Sequence, residues 1–167
     1  MLSVHLSGGR VGNLMFNNLK FVRNAHFLAS VPLKKKSGAV CVKNFENKPL
    51  MLYFSAGWCR SCKMFTPKVR DFYEKLKNEK LDVVWVSRDK TAEDQLEYYN
   101  KALPDWPYVP FGADDIQKLV SKYEVKTIPA VLVVNDSGEV IDDGARMKIE
   151  RAEESSDKLV EGWKKLI

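Results

Sequence analysis

The chain has 167 residues, of which 45% are hydrophobic and 29% charged, a composition typical of one soluble globular domain. No apolar run approaches the ~20 residues that cross a bilayer, so we expect no membrane association. Three cysteines are too few for a secreted disulfide scaffold, which favours a reducing compartment. We therefore expect a cytoplasmic protein.

The formal net charge of +5 is concentrated at one end of the chain. Residues 1–45 carry seven Lys or Arg and no acid, so residues 46–167 have a net charge of −2. This balance is not typical of a domain with a nucleic-acid-binding face, and we expect no nucleic acid among the partners.

Residues 1–28 are predicted to form an N-terminal arm, disordered or targeting, ahead of a single domain over residues 29–167. The arm lacks the apolar region of about 7–15 residues that a secretory signal needs. Its basic, acid-poor composition leaves a mitochondrial transit peptide open, and with it a location in the mitochondrial matrix.

The first predicted elements surround a pair of cysteines. A short strand is predicted over residues 38–43, with Cys41 at least half-buried in it. The continuous apolar run Leu50–Ser55 predicts a strand buried on both faces. A helix is predicted after Cys59, kinked by Pro67 and ending near Asn78. Its apolar face has helical spacing and consists of Val69, Phe72, Tyr73 and Leu76.

The second half of the chain continues the alternation of strands and helices. Taken together, the elements predict an α/β fold with a central mixed β-sheet flanked by helices. The remaining elements, in chain order, are a strand over 83–87, a helix from its cap at Thr91 to about Lys101, a loop with prolines at 104, 107 and 110, a helix over 116–123, a strand over 130–134, a turn over 135–138, an antiparallel strand from 139 and an amphipathic helix over 159–166.

The segment Trp58-Cys59-Arg60-Ser61-Cys62 lies where a strand leads into a helix. A thiol at a helix N-terminus meets unpaired backbone N–H groups and the positive end of the helix dipole, which lower its pKa. The thiolate is the reactive form. Cys62 lies one turn further on, within reach of a disulfide with Cys59. The pattern favours a redox pair that cycles between dithiol and disulfide.

The cysteine pair has two other interpretations, a zinc site and a structural disulfide. A zinc site needs two further ligands, and the remaining candidates, Cys41, His5 and His26, lack the spacing of such sites. A purely structural disulfide that closes so short a loop restrains the unfolded chain little. We therefore expect no metal and no bound cofactor.

Pro129 opens the predicted strand over 130–134. A proline is tolerated at a strand start because its missing N–H costs no ladder bond there. Alternatively, the Ile128–Pro129 bond is cis and presents backbone groups to an extended substrate. Base rates favour the trans bond, so the residues alone leave both possibilities open.

Several separated motifs resemble the thioredoxin fold, and more closely its tryparedoxin and nucleoredoxin branch. The similarity covers about residues 30–165. It implies that Cys59 attacks, that Cys62 resolves, and that Pro129 is a cis-proline beside them, and we expect Ile128 and Pro129 to bind substrate. Trp58 is either a packed aromatic or a flat apolar contact for partner proteins, and its place before Cys59 favours the contact. The motifs are Tyr53–Cys59 with Cys62, Phe65-Thr66-Pro67, Phe72-Tyr73, Val83–Ser87, Val109-Pro110-Phe111 and Thr127-Ile128-Pro129.

The chain departs from that branch between the cysteines. Members often carry Pro-Pro there, whereas this chain has Arg60-Ser61. The Arg60 charge is expected to favour the thiolate, with a smaller contribution from Lys63. Bacterial-type thioredoxins keep a buried Asp on the preceding strand, and the matching residue here is Tyr53.

The resemblance implies a protein-disulfide reductase that acts on disulfide-containing proteins, and we expect it to work as a monomer. Its electrons would come from a thiol reductant or a reductase resembling thioredoxin reductase. The alternative function is a redox-sensing binding protein with little turnover. The resemblance to nucleoredoxin-like proteins also leaves a nuclear location open. A cysteine hydrolase is not expected, because no base is predicted near Cys59.

Overall fold

A four-stranded mixed sheet forms the centre of the computed structural model, which describes residues 26–76 and 80–167. β1 is parallel to β2 and antiparallel to β3, and β3 is antiparallel to β4. The α/β fold with a central mixed sheet is therefore confirmed. The strands, numbered along the chain and given in spatial order, are β2 (Asp82–Ser87), β1 (Leu50–Ser55), β3 (Ala130–Val134) and β4 (Val140–Asp142).

Helices follow β1, β2 and β4, and the helix order agrees with the sequence prediction except at one element. The unpredicted element is the fourth helix, whose seven residues bury only Ala145 and Ile149 and so give little periodic signal. The described α-helices are α1 (Arg60–Glu74), α2 (Ala92–Ala102), α3 (Asp114–Lys122), α4 (Ala145–Arg151) and α5 (Ser156–Lys164).

All six residues of β1 are buried, and its first five belong alternately to two hydrophobic cores. Met51 and Tyr53 belong to the core that also contains residues of α1, α2, α4 and α5. Leu50, Leu52 and Phe54 belong to the other core, which α3 covers. Because neighbouring strand residues point to opposite faces, a strand buried on both sides reads as a continuous apolar run.

α1 starts directly after Cys59 and carries the apolar face that its spacing predicts. Val69 and Phe72 are buried, and Tyr73 packs partly buried against the same core. Pro67 lies inside α1, which continues through it to Glu74. The ending predicted near Asn78 lies outside the described residues.

The strand predicted over residues 38–43 is wrong. The chain instead turns at Gly38 and forms a 3-10 helix over Val42–Phe45, so Cys41 is exposed and not half-buried in a strand. Val40 and Val42 pack partly buried against the second core, and none of the strands that the structure describes pairs with them. The alternation of apolar residues therefore reflects side-chain packing and not a ladder.

Most of the predicted arm, residues 1–25, lies outside the described residues. Leu28, at its predicted end, is fully buried in the second core. The boundary between arm and domain stays a prediction. Within residues 26–76 and 80–167, no helix has the length and apolar character needed to cross a membrane.

Candidate redox active site

Cys59 and Cys62 form a disulfide at the N-terminus of α1, with their Cα atoms 5.2 Å apart. Cys59 is the N-cap residue, and its Sγ accepts a hydrogen bond of 3.1 Å from the backbone N–H of Cys62. Cys62 is fully buried, whereas Cys59 keeps 6% of its surface exposed and lines a surface groove. The predicted placement of the pair is confirmed, and only Cys59 faces the groove.

The loop before β3 brings Ile128 and Pro129 to the cysteines. The Ile128–Pro129 bond is cis, as the resemblance implies. The carbonyl oxygen of Ile128 lies 3.8 Å from Sγ of Cys59. Ile128 packs partly buried against the small cluster that contains both cysteines, and Pro129 is buried. This juxtaposition follows from the antiparallel pairing of β1 and β3, which places the end of one strand beside the start of the other.

Trp58 projects from the loop that joins β1 to α1 and is 57% exposed. Its indole N–H donates a hydrogen bond of 3.0 Å to the carbonyl oxygen of Arg88. The ammonium of Lys90 lies 5.7 Å from the ring centroid. Between the two interpretations of this ring, a packed core aromatic and a surface contact for partners, its exposure favours the second.

The segment after β2 fixes the position of this loop, a feature that sequence reasoning missed. The nearly buried carboxylate of Asp89 accepts hydrogen bonds from the Gly57 backbone N–H at 2.8 Å and the Ser87 hydroxyl at 2.7 Å. The Arg88 backbone N–H donates to the carbonyl of Ser55. An Asp two residues after a predicted strand is a usable signal, because such residues lie at the strand end where βα loops meet.

A cluster of hydroxyl groups lies beneath the redox pair. The Thr66 hydroxyl donates to the Cys62 carbonyl oxygen at 2.9 Å and is contacted by Tyr53 at 2.7 Å and Tyr98 at 2.6 Å. A hydroxyl has one proton and two lone pairs, so both tyrosines donate to Thr66. Burial raises the pKa of Tyr53 to about 12, which keeps this residue neutral where bacterial-type thioredoxins have a carboxyl group.

The two residues between the cysteines differ in their surroundings. Arg60 is exposed and lines the groove beside Cys59. Ser61 places its hydroxyl oxygen 3.3 Å from Sγ of Cys59, a contact that sequence reasoning also missed. Lys63 is exposed and lines a separate cleft on the other side of Trp58 with Glu97. The structure therefore brings Arg60 and Ser61 to the sulfur more directly than Lys63.

The third cysteine stands apart from the redox pair. Cys41 is an exposed free thiol. Of the residues that the structure describes, no three His, Cys, Asp or Glu side chains are grouped so that they could hold a metal ion.

Comparison with known proteins places the chain in a family. Residues 47–140 match the family model described as thioredoxin-like. Tryparedoxin of Trypanosoma brucei brucei is 37% identical over 70% of this chain and 82% of its own length. Probable nucleoredoxin 1 of Arabidopsis thaliana is 33% identical over 68% of this chain, which spans only 20% of that longer protein.

Solved structures agree with this placement. The crystal structure of a thioredoxin from Wuchereria bancrofti superposes with a TM-score of 0.71 at 36% identity and covers 86% of this chain and 100% of that one. A disulfide-forming Cys-x-x-Cys pair at the start of α1, beside a cis-proline, is combined here with that fold. The chain therefore belongs to the thioredoxin-like family, among the thiol–disulfide oxidoreductases related to tryparedoxin and nucleoredoxin.

Proposed function

We propose that the protein is a protein-disulfide reductase in which Cys59 attacks and Cys62 resolves. The observation that carries this assignment is the asymmetry of the pair: Cys59 lines the groove, and Cys62 is fully buried behind it. A substrate disulfide in the groove meets the Cys59 sulfur first. The Cys62 N–H bond and the helix N-terminus stabilise negative charge on that sulfur.

The cycle starts from the dithiol form. The Cys59 thiolate attacks one sulfur of the substrate disulfide, a mixed disulfide forms, and the other substrate sulfur leaves as a thiolate that takes up a proton. The Cys62 thiol loses its proton and attacks Cys59 in the mixed disulfide. The second substrate thiol is released and the Cys59–Cys62 disulfide forms, so two electrons have passed to the substrate.

Three residues would hold the substrate. The exposed face of Trp58 offers a flat apolar surface to partner side chains. Ile128, whose carbonyl oxygen lies beside Cys59, and the cis Pro129 would align an extended segment through its backbone. Arg60, with a smaller contribution from Lys63, would favour the Cys59 thiolate by charge.

The oxidised protein must be reduced by a second thiol system. We propose a low-molecular-weight thiol or a reductase resembling thioredoxin reductase as the donor, and a monomer as the working unit. The cycle uses only the two sulfurs and needs no bound cofactor. A cytoplasmic location fits a reductase, because its dithiol form is maintained in a reducing compartment.

Turnover of insulin disulfides with dithiothreitol tests the proposal. The wild-type protein is expected to reduce many equivalents of insulin, and Cys59→Ser to reduce none above background. In a separate experiment without dithiothreitol, reduced Cys62→Ser should accumulate a mixed disulfide with the substrate, detectable as a mass adduct that later addition of dithiothreitol removes. Cys41→Ser is the matched control, since Cys41 lies outside the pair and its loss should leave turnover unchanged.

The same assay distinguishes the alternative, a redox-sensing binding protein. Stoichiometric partner binding that persists in Cys59→Ser, with no wild-type turnover above background, would replace the reductase assignment. If Cys59→Ser forms an adduct on Cys62 as fast as the wild-type protein attacks the substrate disulfide, the assigned order of attack is contradicted.

A further inference from the structure

The groove beside Cys59 has a volume of about 630 Å³ and an uneven distribution of charge. Its apolar lining comes from the 57% exposed Trp58, the 68% exposed Met64 and Ile128. Its charged lining comes from Arg60 and Lys126, both exposed. Among the described residues, no Asp or Glu lines this groove. A substrate that enters it meets an apolar floor and two cations.

The opposite side of Trp58 has a different character. A cleft of about 350 Å³ there contains Asp89, Asp94 and Glu97 together with lysines. Its cations are balanced locally, as in the 2.6 Å pair between Lys101 and Glu97. Of the two sites beside Trp58, only the Cys59 groove is lined by more cations than anions among the described residues.

Within residues 26–76 and 80–167, the two groove cations also lack acidic partners. Neither Arg60 nor Lys126 forms an ion pair with another residue in the described part of the chain. An exposed cation that is not neutralised locally raises the concentration of anions near it and disfavours other cations. Because both flank the attacking sulfur, their charges act where a substrate segment must lie during attack.

We propose that this groove selects extended protein segments in which acidic residues flank the disulfide and an apolar residue lies close to it. The apolar side chain would pack against Trp58 and Met64, and the carboxylates would lie near Arg60 and Lys126. This inference rests on the proposed reductase function and adds the class of substrate to it. The electron balance is that of the cycle above: two electrons leave the protein thiols and two peptide thiols are released.

The expected preference is moderate, because both cations are solvent-exposed. Exposed charge pairs contribute little each, and their effect on association falls as salt screens them. Two such pairs correspond to about three- to tenfold faster reduction of an acidic than of a neutral segment at low ionic strength. A lysine-flanked segment should be slower than the neutral one.

The test uses symmetric disulfide dimers of three short peptides, each with one cysteine and one leucine, flanked by Asp, Asn or Lys. The reduced protein is mixed with each dimer, and released peptide thiol is measured in a single turnover. Each rate is divided by the rate of the same dimer with dithiothreitol, which removes differences in the intrinsic reactivity of the disulfides. The variants are Arg60→Gln, Lys126→Gln and the double variant, with Lys165→Gln as the control.

The control removes the same charge from the exposed C-terminal end of α5, away from the groove. We expect the acidic-to-neutral ratio to fall in each groove variant, to approach one in the double variant and at high salt, and to stay at its wild-type value in Lys165→Gln. The ratio is informative even if Arg60→Gln alters the reactivity of Cys59, because that change affects all three peptides equally.

Several outcomes would overturn the proposal. If the acidic-to-neutral rate ratio of the wild-type protein lies within about 1.5-fold of one, the proposed preference does not exist. If the double variant keeps the wild-type ratio, residues other than Arg60 and Lys126 cause the preference. Glutathione disulfide is the remaining probe, because it is an anionic disulfide without an extended segment. If its normalised rate exceeds that of the acidic peptide, the groove selects small anionic disulfides and not protein segments. If wild type reduces none of the dimers, the reductase function itself fails.

Discussion

The Ser61 hydroxyl provides the sharpest test of how this site activates its thiol. Its oxygen lies 3.3 Å from Sγ of Cys59. The disulfide sulfur carries no proton, so the hydroxyl is the donor, and it would donate more strongly to a thiolate in the same place. Ser61→Ala removes one of the two hydrogen-bond donors that the described residues place at that sulfur, and it leaves the backbone N–H of Cys62. We therefore expect the pKa of Cys59 to rise in the variant.

The magnitude follows from the strength of a hydrogen bond to a charged group. Such bonds contribute about 1.5–3 kcal/mol, and a partly exposed sulfur acceptor belongs at the low end. About 1.4 kcal/mol corresponds to a roughly tenfold lower ratio of thiolate to thiol. A more basic thiolate is also a better nucleophile, with a Brønsted coefficient of about 0.4–0.5. Attack should therefore slow only about threefold at low pH, and accelerate about threefold at high pH.

The assay is the pH profile of single-turnover attack on a neutral disulfide, such as hydroxyethyl disulfide, in a Cys41→Ser background that removes the exposed third thiol. The profiles of wild type and Ser61→Ala should cross. Ser61→Thr, which keeps the hydroxyl, should follow wild type. Parallel profiles without a crossing, or a Thr variant that behaves like Ala, would refute a role for the hydroxyl as a donor to the thiolate.

Two further predictions concern stability. Gly57→Ala should lower the free energy of unfolding by about 1–3 kcal/mol, because the new Cβ would lie 3.0 Å from Cβ of Tyr98. Gly162→Ala, inside α5 with nothing within 4 Å of the new Cβ, should raise the free energy of unfolding by about 0.5–1 kcal/mol. Urea denaturation of both variants checks this contrast, and equal effects would contradict it. Burial lowers the pKa of His26, over the opposing charges of Asp136 and Glu46, so the unfolded chain binds the proton more readily. Stability should fall as pH drops below about 6.5, and His26→Asn should flatten this slope between pH 7.5 and 5.5; an unchanged slope would show that other groups cause it.

The strands and the redox pair could be predicted because their signals are local. The apolar runs of β1 and β2 report burial on both sheet faces, and the cap at Thr91 is confirmed by its 3.1 Å bond from the Asp94 N–H. Both features depend on a few neighbouring residues. The motif between strand and helix is of the same kind, since the helix N-terminus and the cysteines are adjacent in the chain.

Features that depend on distant partners could not be predicted in this way. Val40 and Val42 have the alternation of a strand, but no strand in the described part of the chain pairs with them. They pack against the second core and leave Cys41 exposed. The hydrogen bond from Gly57 to Asp89 joins residues 32 positions apart, and only the fold shows that they meet. The charge of the Cys59 groove likewise depends on Lys126, which β3 brings next to the motif.

Arg60 and Ser61 stand between the cysteines where related proteins often carry Pro-Pro, and these two residues act on Sγ of Cys59 in different ways. Arg60 lines the groove, so its charge acts on the substrate as well as on the thiolate, and salt should weaken both effects. Ser61 acts through a short-range hydrogen bond, which salt leaves largely intact. Raising the ionic strength should therefore abolish the preference for acidic peptides while the crossing of the Ser61→Ala and wild-type profiles persists. Loss of both at the same salt concentration would mean that one electrostatic field, and not two local contacts, sets the reactivity of Cys59.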